Sequence, residues 1–305
     1  MAARGTATGL TVLWVVGVLW GCSRPPEGQG PQFADHPAHQ QAAEYHLAVH
    51  PLHNPVKLIQ AYQPLIEYLN ARVDGARFNV EASRDYAAFE AKYRARKTAF
   101  LLPNPWQTVE AIGHGYHVIA MAGDADDFRG VFVVRRDSAL QRPQDLRGKR
   151  VSYPSPTALA ACIMPQQFLH AHGIDVNRDI VNAYVGSQES SIMNAFLRLS
   201  DAGVTWPPPW RAFQREHPQE ASELKVIWQT DPLINNSVMV RDDVPPALSA
   251  RVRQLLLELD RSPDGRRILD AMETARFTAA EDDDYGVVRR YVDRFEHDVR
   301  PIDAP

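Results

Sequence analysis

The chain has 305 residues, of which 45% are hydrophobic and 23% charged, an ordinary globular composition in a length suited to two domains. Its 33 Lys and Arg residues face 37 Asp and Glu residues, and the resulting charge of −4 offers no basic field for a phosphate backbone, so no nucleic-acid partner is expected. The two cysteines, Cys22 and Cys162, are too few for a disulfide scaffold or a Cys-ligated metal domain.

The first predicted element is an export signal. An apolar run, Leu10–Trp20, is shorter than the roughly 20 residues of a membrane span and leads into Leu19-Trp20-Gly21-Cys22, which resembles a bacterial lipobox. We expect residues 1–21 to be a lipoprotein signal peptide and Cys22 to be lipidated, with a plain signal peptide or a short buried helix as the alternatives. Residues 22–43 are rich in Pro and Gly and are expected to be a flexible tether.

After the tether, short apolar runs alternate with helical periods, which is the pattern of βαβ units and predicts an α/β fold. The residues Leu58, Tyr62, Leu65 and Leu69 recur at helical spacing and predict an amphipathic helix with one buried face. The predicted strands are 45–50, 78–81, 99–102, 118–121, 131–134, 149–153, 180–185 and 224–228, and the predicted helices are 58–69, 86–93, 106–112, 156–172, 188–199 and three segments after about residue 245.

An anion site is predicted directly after the strand 149–153. Ser155 and Thr157 follow the strand end, and their hydroxyls would converge with the free N–H groups of a helix beginning at Pro156. Because Ser and Thr are also the commonest helix caps, a purely structural role is the alternative. Gly186-Ser187-Gln188-Glu189 repeats the arrangement at the next helix, and two such helix ends facing one crevice would strengthen the prediction.

Catalytic signatures are missing from the sequence. It contains no nucleophile elbow, zinc-protease motif, phosphate loop or dinucleotide-binding motif, so an enzyme is disfavoured, and a hydrolase has no nucleophile constellation. The acidic run Glu281–Asp284 lacks the pattern of a calcium loop and suits the positive end of the helix that follows. We expect no catalytic residue, no cofactor and no metal.

Several segments, in their order along the chain, resemble the phosphate/phosphite/phosphonate ABC-transporter substrate-binding proteins. These segments are VHPL (49–52), AYQPL (61–65), LRGKRV (146–151), SYPSPTA (152–158), GSQE (186–189) and PLINN (232–236). The similarity runs from about Tyr45 to Tyr291. It implies a two-lobed type 2 periplasmic binding-protein fold, each lobe a mixed sheet flanked by helices, with the ligand in the cleft between the lobes. We expect residues 44–127 and 236–305 to form lobe 1 and residues 128–235 to form lobe 2.

The resemblance also implies which residues bind the ligand. Ser155 and Thr157 are expected to hold the phosphonate oxygens, and Gln188, in place of a family histidine, can still donate a hydrogen bond. The first-lobe aromatic residues of the family correspond approximately to His53 and Trp106. The neighbouring Ala158 and Ser187 are included in the expected ligand-binding set.

Two further candidates, Trp206 and Ser237, stand where related proteins place acids that pair with a ligand's ammonium group. An ammonium buried without a partner is costly, so primary aminophosphonates are expected to bind poorly. Trp206 and Trp210 flank three prolines, which predict a stiff, extended segment that either lines the pocket or pins a surface linker. A choline-like phosphoester held by these tryptophans is the alternative ligand.

The expected function is that of an exported, membrane-tethered solute-binding protein, monomeric and facing the periplasm, that captures phosphate, phosphite or an alkylphosphonate for an ABC permease. A tethered sensor that presents its loaded form to a membrane signalling protein would use the same binding chemistry. The sequence leaves this alternative open.

Overall fold

The computed structural model describes residues 42–302, and within that range two mixed sheets carry the fold. The strands are β1 (Ala43–Val49), β2 (Ala76–Glu81), β3 (Phe100–Leu102), β4 (Tyr116–Ala122), β5 (Val131–Arg135), β6 (Arg150–Tyr153), β7 (Val181–Tyr184), β8 (Ala202–Thr205), β9 (Leu224–Gln229), β10 (Ser237–Arg241) and β11 (Phe277–Thr278). The first sheet has the order β11-β4-β10-β3-β1-β2 and the second β7-β6-β8-β5-β9.

Each sheet combines parallel and antiparallel neighbours. In the first sheet β1 runs parallel to β2 and β3, whereas β10 is antiparallel to β3 and β4. In the second sheet β6 runs parallel to β7 and β8, whereas β5 is antiparallel to β8 and β9. The α/β prediction with one mixed sheet in each lobe is therefore confirmed.

Helices cover both faces of the sheets. They are α1 (Pro55–Asn70), α2 (Tyr86–Arg94), α3 (Pro105–Ile112), α4 (Met164–Ala171), α5 (Gln188–Phe196), α6 (Pro207–Glu216), α7 (Pro218–Ser222), α8 (Pro246–Leu257), α9 (Pro263–Ala271) and α10 (Gly286–Asp298). Successive side chains of a strand point to opposite faces of its sheet, which explains the two helical layers. Phe100 and Leu102 of β3 pack in the cluster with α1 and α8, whereas Leu101 packs in the cluster with α2, α3 and α10. The predicted buried stripe of α1 is confirmed.

The chain passes between the sheets twice, from β4 to β5 and from β9 to β10. We call the first sheet with α1–α3 and α8–α10 the first lobe, and the second sheet with α4–α7 the second lobe. The residue boundaries of the lobes, after residues 127 and 235, stay a prediction. Cys22, the signal peptide 1–21 and the tether up to residue 41 lie outside the described residues. Within residues 42–302 no helix is long and apolar enough to cross a membrane.

The helix predicted to begin at Pro156 begins later. Pro156 and Thr157 form a turn, a five-residue π-helix covers Leu159–Ile163, and α4 follows. Pro165 has no N–H and cannot donate to the carbonyl four residues earlier, so the α-helical pattern is interrupted at this point. The wider turns are closed by Ile163 N, which donates to Ala158 O over 3.2 Å.

The three prolines after Trp206 are not extended, as the sequence suggested, but form the first turn of α6. The N–H groups of a first helical turn have no intrahelical acceptor, so prolines at these positions remove no intrahelical hydrogen bond. Their fixed φ also suits the helix. Trp206 is thereby the cap residue of α6, and Trp210 lies inside the helix.

Candidate functional site

Four of the candidate residues follow strands that have a parallel neighbour. His53 follows β1, Trp106 follows β3, Thr157 follows β6 and Gln188 follows β7. Residues at the carboxyl ends of parallel strands meet at one edge of a sheet, where α/β proteins bind ligands. This topology explains how residues far apart in sequence come to line the contact between the two lobes.

The turn after β6 forms a compact pair of hydroxyls. The oxygens of Ser155 and Thr157 lie 3.0 Å apart, and Thr157 N donates to Ser155 Oγ over 3.3 Å. Both residues are buried, and Ala158 closes the turn by donating its N–H to Ser155 O. The π-helix begins directly afterwards, so its first N–H groups, which have no intrahelical acceptor, lie next to the two hydroxyls.

Three side chains of the first lobe contact this turn or its partners. Thr157 Oγ1 donates to Glu90 Oε1 over 2.7 Å, and Gln107 Nε2 donates to the same oxygen over 3.1 Å. Asn104 Nδ2 donates to Thr157 O over 3.2 Å, and its Oδ1 caps α3. The Thr157 hydroxyl of the second lobe is thus bonded directly to α2 of the first lobe, and the Thr157 carbonyl is bonded to the cap residue of α3.

The carboxyl of Glu90 is the unexpected group in this network, because its side chain is only 5% exposed. Burial disfavours its charged form and raises its pKa, against the opposing effect of hydrogen bonds from Thr157 and Gln107 and of the Arg94 guanidinium 3.7 Å away. Glu90 therefore takes up a proton more readily than an exposed acid. It can accept a hydrogen bond when ionised or donate one when protonated.

At the helix start after β7, the side chain of Gln188 reaches the first lobe. Gln188 Nε2 donates to the hydroxyl of Tyr86 on α2 over 3.2 Å, and Gln188 Oε1 accepts from Thr205 over 2.8 Å. Ser187 instead serves its own helix: its Oγ accepts from Ser190 N over 3.1 Å and so caps α5. The structure thus brings Gln188 to the first lobe and gives Ser187 a capping role.

The first-lobe candidates have separate surroundings. Trp106 is buried in the cluster that includes Leu159 and Ala160 of the second lobe. Ser237, also buried, shares a 2.7 Å hydrogen bond with Thr108 Oγ1. His53 is half-buried, and burial lowers its pKa despite the acids near it, among which Glu216 has the largest effect.

The two tryptophans around the prolines belong to different clusters, so they do not form a common cage. Trp206 is buried against Phe128, with ring centroids 5.4 Å apart, whereas Trp210 stacks on Phe213. Trp206 also borders a cavity of about 10 Å³, which is room for about one water molecule. Leu52, Tyr62, Asn235, Asn236 and Glu273 line the same cavity.

Ion pairs connect the lobes around these contacts. Lys57 on α1 places its ammonium 2.9 Å from Glu189 on α5 and 2.5 Å from Glu216 on α6. His217 lies 3.3 Å from Glu189, and the possible ligand atoms of Glu189, Glu216 and His217 lie within 4.8 Å of one another. Because the Lys57 ammonium already pairs with both carboxylates, we assign no metal to this group.

A second group of ion pairs joins α6 to the first lobe. Arg211 donates to both carboxylate oxygens of Asp127, over 3.0 and 2.8 Å, and to Glu273 over 3.3 Å. Arg215 also pairs with Glu273. Paired hydrogen bonds to one carboxylate fix the relative orientation of the two groups.

The chain is similar to one family of binding proteins over most of its length. The family model described as "ABC transporter, phosphonate, periplasmic substrate-binding protein" matches residues 47–285, and the chain belongs to this family of transport proteins rather than to a family of enzymes. A curated relative, the probable ABC transporter phosphite binding protein PhnD1 of Prochlorococcus marinus, is 23% identical over 181 residues. That match covers 55% of this chain and 61% of the relative, less than two thirds of its length.

Solved structures share the fold. A binding protein component of an ABC phosphonate transporter from Pseudomonas aeruginosa superimposes with a TM-score of 0.75 at 14% identity, covering 82% of this chain and 85% of the other. PhnD1 from Prochlorococcus marinus, solved in complex with methylphosphonate, gives a TM-score of 0.75 at 18% identity over 84% of this chain and 99% of the other. The predicted type 2 periplasmic binding-protein fold is therefore confirmed.

Three first-lobe residues of this network, Glu90, Asn104 and Gln107, were not predicted from the sequence. A signal for Glu90 was present, since it lies four residues after Tyr86 and so shares the face of the buried residues Tyr86, Phe89 and Tyr93. An acid on an apolar helix face requires a polar partner across the interface. Asn104 and Gln107 show the spacing of a capping box, which explains their position but not the bond from Asn104 to Thr157 or the bond from Gln107 to Glu90.

Proposed function

We propose that the protein captures a small phosphorus oxyanion, namely phosphate, phosphite or an alkylphosphonate, for an ABC importer. Ser155, Thr157 and the first N–H groups of the π-helix form the anion anchor. The lobes close over the ligand, and Gln188, His53, Trp106, Trp206, Ser237, Ala158 and Ser187 complete the surroundings of the site. Methylphosphonate, which PhnD1 binds in its solved structure, is the first ligand to test.

The observation that carries this proposal is the convergence of donors at the end of β6. Two hydroxyls 3.0 Å apart and the start of a helix supply hydrogen bonds and positive potential at one buried point, which suits a tetrahedral anion without a counter-charge. Glu90 accepts from the Thr157 hydroxyl and Asn104 donates to the Thr157 carbonyl, so the first lobe reaches the same point. A ligand gripped there would be enclosed by both lobes.

The test is isothermal titration of the purified protein with phosphate, phosphite, methylphosphonate and 2-aminoethylphosphonate. We expect methylphosphonate to bind more tightly than 2-aminoethylphosphonate. A hydrogen bond to a charged group contributes roughly 1.5–3 kcal/mol, so the double variant Ser155→Ala/Thr157→Ala should bind methylphosphonate at least about a hundredfold more weakly.

The matched control is Ser262→Ala, which removes a hydroxyl that caps α9 by accepting from Gly265 N. This variant should lose a little stability and keep its affinity, and circular dichroism should show that every variant folds. An unchanged affinity in the double variant would refute the anchor. Failure of the parent protein to bind any of the four compounds would refute the proposed function.

We further propose that Cys22 carries a lipid anchor, so that the receptor works as a monomer tethered to the membrane and facing the periplasm. Support comes from the lipobox-like sequence at Cys22 and from the family description as a periplasmic protein. We propose an ABC permease rather than a signalling protein as the partner, since the matching family is one of ABC-transporter components.

A further inference from the structure

An anion anchor that already contacts a carboxyl group poses an electrostatic problem. Glu90 Oε1 accepts from Thr157 Oγ1, the same hydroxyl that is proposed to hold the ligand. If Glu90 stayed ionised beside an anion that carries no proton, two negative charges would face each other at a buried point, which is strongly unfavourable. The network tolerates an anion only if a proton lies between the carboxyl group and the ligand.

We propose that Glu90 makes the site selective for oxyanions that carry an acidic proton, so that it accepts the monoanion of a phosphonic, phosphorous or phosphoric acid and rejects a sulfonate or sulfate of the same shape. This inference deepens the proposed function and rests on it. A P–OH group replaces the Thr157 hydroxyl as the donor to the Glu90 carboxylate. The single hydroxyl proton of Thr157 then turns to another ligand oxygen, as do the donors of Ser155 and of the helix N–H groups. A sulfonate has no proton to give, so it binds only when Glu90 is itself protonated.

The surroundings of Glu90 suit this role. Oε1 accepts from Thr157 and Gln107, and the bond from Gln107 still holds the carboxyl group in place when the Thr157 hydroxyl turns to a ligand. The charged and titratable groups facing it are Arg94, Tyr86 and Tyr93 on its own helix and Glu110 on α3. Arg94 pairs with Glu110 over 2.8 Å, so its charge is shared between the two acids. Burial raises the pKa of Glu90 above that of an exposed carboxyl group.

The experiment compares methylphosphonate with methanesulfonate, two ligands of the same shape and, as monoanions, the same charge, which differ by one acidic proton. Calorimetric affinities are measured from about pH 5 to about pH 8 for the whole protein. Above the pKa of Glu90, methanesulfonate affinity should fall by up to about tenfold per pH unit, because each binding event must also protonate the acid. Methylphosphonate affinity should stay level until the ligand loses its own proton.

The variant Glu90→Gln keeps the size of the side chain and replaces the proton acceptor by an amide that can always donate. Methanesulfonate should then bind independently of pH, and the preference for methylphosphonate at about pH 7.5 should fall at least about tenfold. The matched control, Glu110→Gln, removes the neighbouring acid, which has no contact with Thr157 among the hydrogen bonds described, and should keep the preference.

The outcomes separate this inference from the function beneath it. A preference for methylphosphonate that is flat with pH in the parent protein, and unchanged by Glu90→Gln, would overturn the role of Glu90 while leaving the function in place. Equal gains in affinity for both ligands in Glu90→Gln would overturn it as well, because Glu90 would then only compete with ligands for Thr157. A parent protein that binds neither ligand at any pH would overturn the proposed function itself.

Discussion

The bridge made by Lys57 gives a quantitative prediction about how the lobes are held together. Its ammonium joins α1 of the first lobe to Glu189 and Glu216 of the second, and the three side chains are 31%, 37% and 43% exposed. At this exposure water screens the charges, so each pair contributes only a few tenths of a kcal/mol to about 1 kcal/mol. We expect Lys57→Met to make the free energy of lobe closure less favourable by about 1 kcal/mol. The ratio of closed to open protein should then fall about fivefold.

The protonation of this bridge sets its pH range. Burial opposes the charge on Lys57, but hydrogen bonds with Glu216 and Glu189 outweigh it and raise the pKa of Lys57 above 10.5. Burial likewise opposes ionisation of Glu189, and the bond from Lys57 outweighs it and lowers the pKa of Glu189 below 4.5. The contribution of Glu189 is therefore complete above pH 4.5 and is lost as the pH falls through its lowered pKa, whereas that of Lys57 is lost only in strong base.

The assay measures the distance between spin labels at Gln60→Cys on α1 and Gln219→Cys on α7, both exposed positions, by double electron–electron resonance. The background carries Cys22→Ser, and the buried Cys162, whose pKa burial raises to about 12, should stay unlabelled. The control is Lys97→Met in the exposed turn after α2. Distance distributions that coincide for Lys57→Met and Lys97→Met would show that the bridge does not hold the lobes together.

Two further predictions concern a buried histidine and the lipid anchor. Burial lowers the pKa of His50 from 6.5 to about 4, so its stabilising contribution is complete above pH 6.5, and the free energy of unfolding should fall by about 3 kcal/mol between pH 7 and pH 4. In denaturant unfolding, His50→Asn, which can still donate to Leu102 O, should show a correspondingly smaller fall. Equal falls in both proteins would contradict this account. Cys22→Ser should abolish incorporation of labelled fatty acid and release the protein from the membrane fraction, whereas equal labelling of variant and parent would exclude Cys22 as the anchor.

The elements that the sequence predicted well are those specified by local patterns. The stripe of Leu58, Tyr62, Leu65 and Leu69 lies on one face of α1, and the apolar run at 99–102 becomes the central strand β3. The strands β8, β10 and β11 were not among those predicted. Two further errors arose at prolines, because a proline is compatible either with an extended segment or with the first turn of a helix. Pro165 interrupts the predicted helix after Thr157, and Pro207–Pro209 begin a helix instead of extending the chain.

The contacts between the lobes could not be predicted in the same way, because they depend on how two separately folded sheets meet. The sequence indicated the donors Ser155 and Thr157 through their place after a strand, which is local information. It did not indicate that Glu90, 67 positions away from Thr157, would face them, since only the packing of α2 against the second lobe decides this. A buried acid such as Glu90, beside Phe89 on an apolar helix face, must find a hydrogen-bond partner. In a two-lobed receptor that partner can be a hydroxyl of the other lobe or a ligand in the cleft. An acid at such a position is therefore a candidate site residue that the sequence itself can indicate.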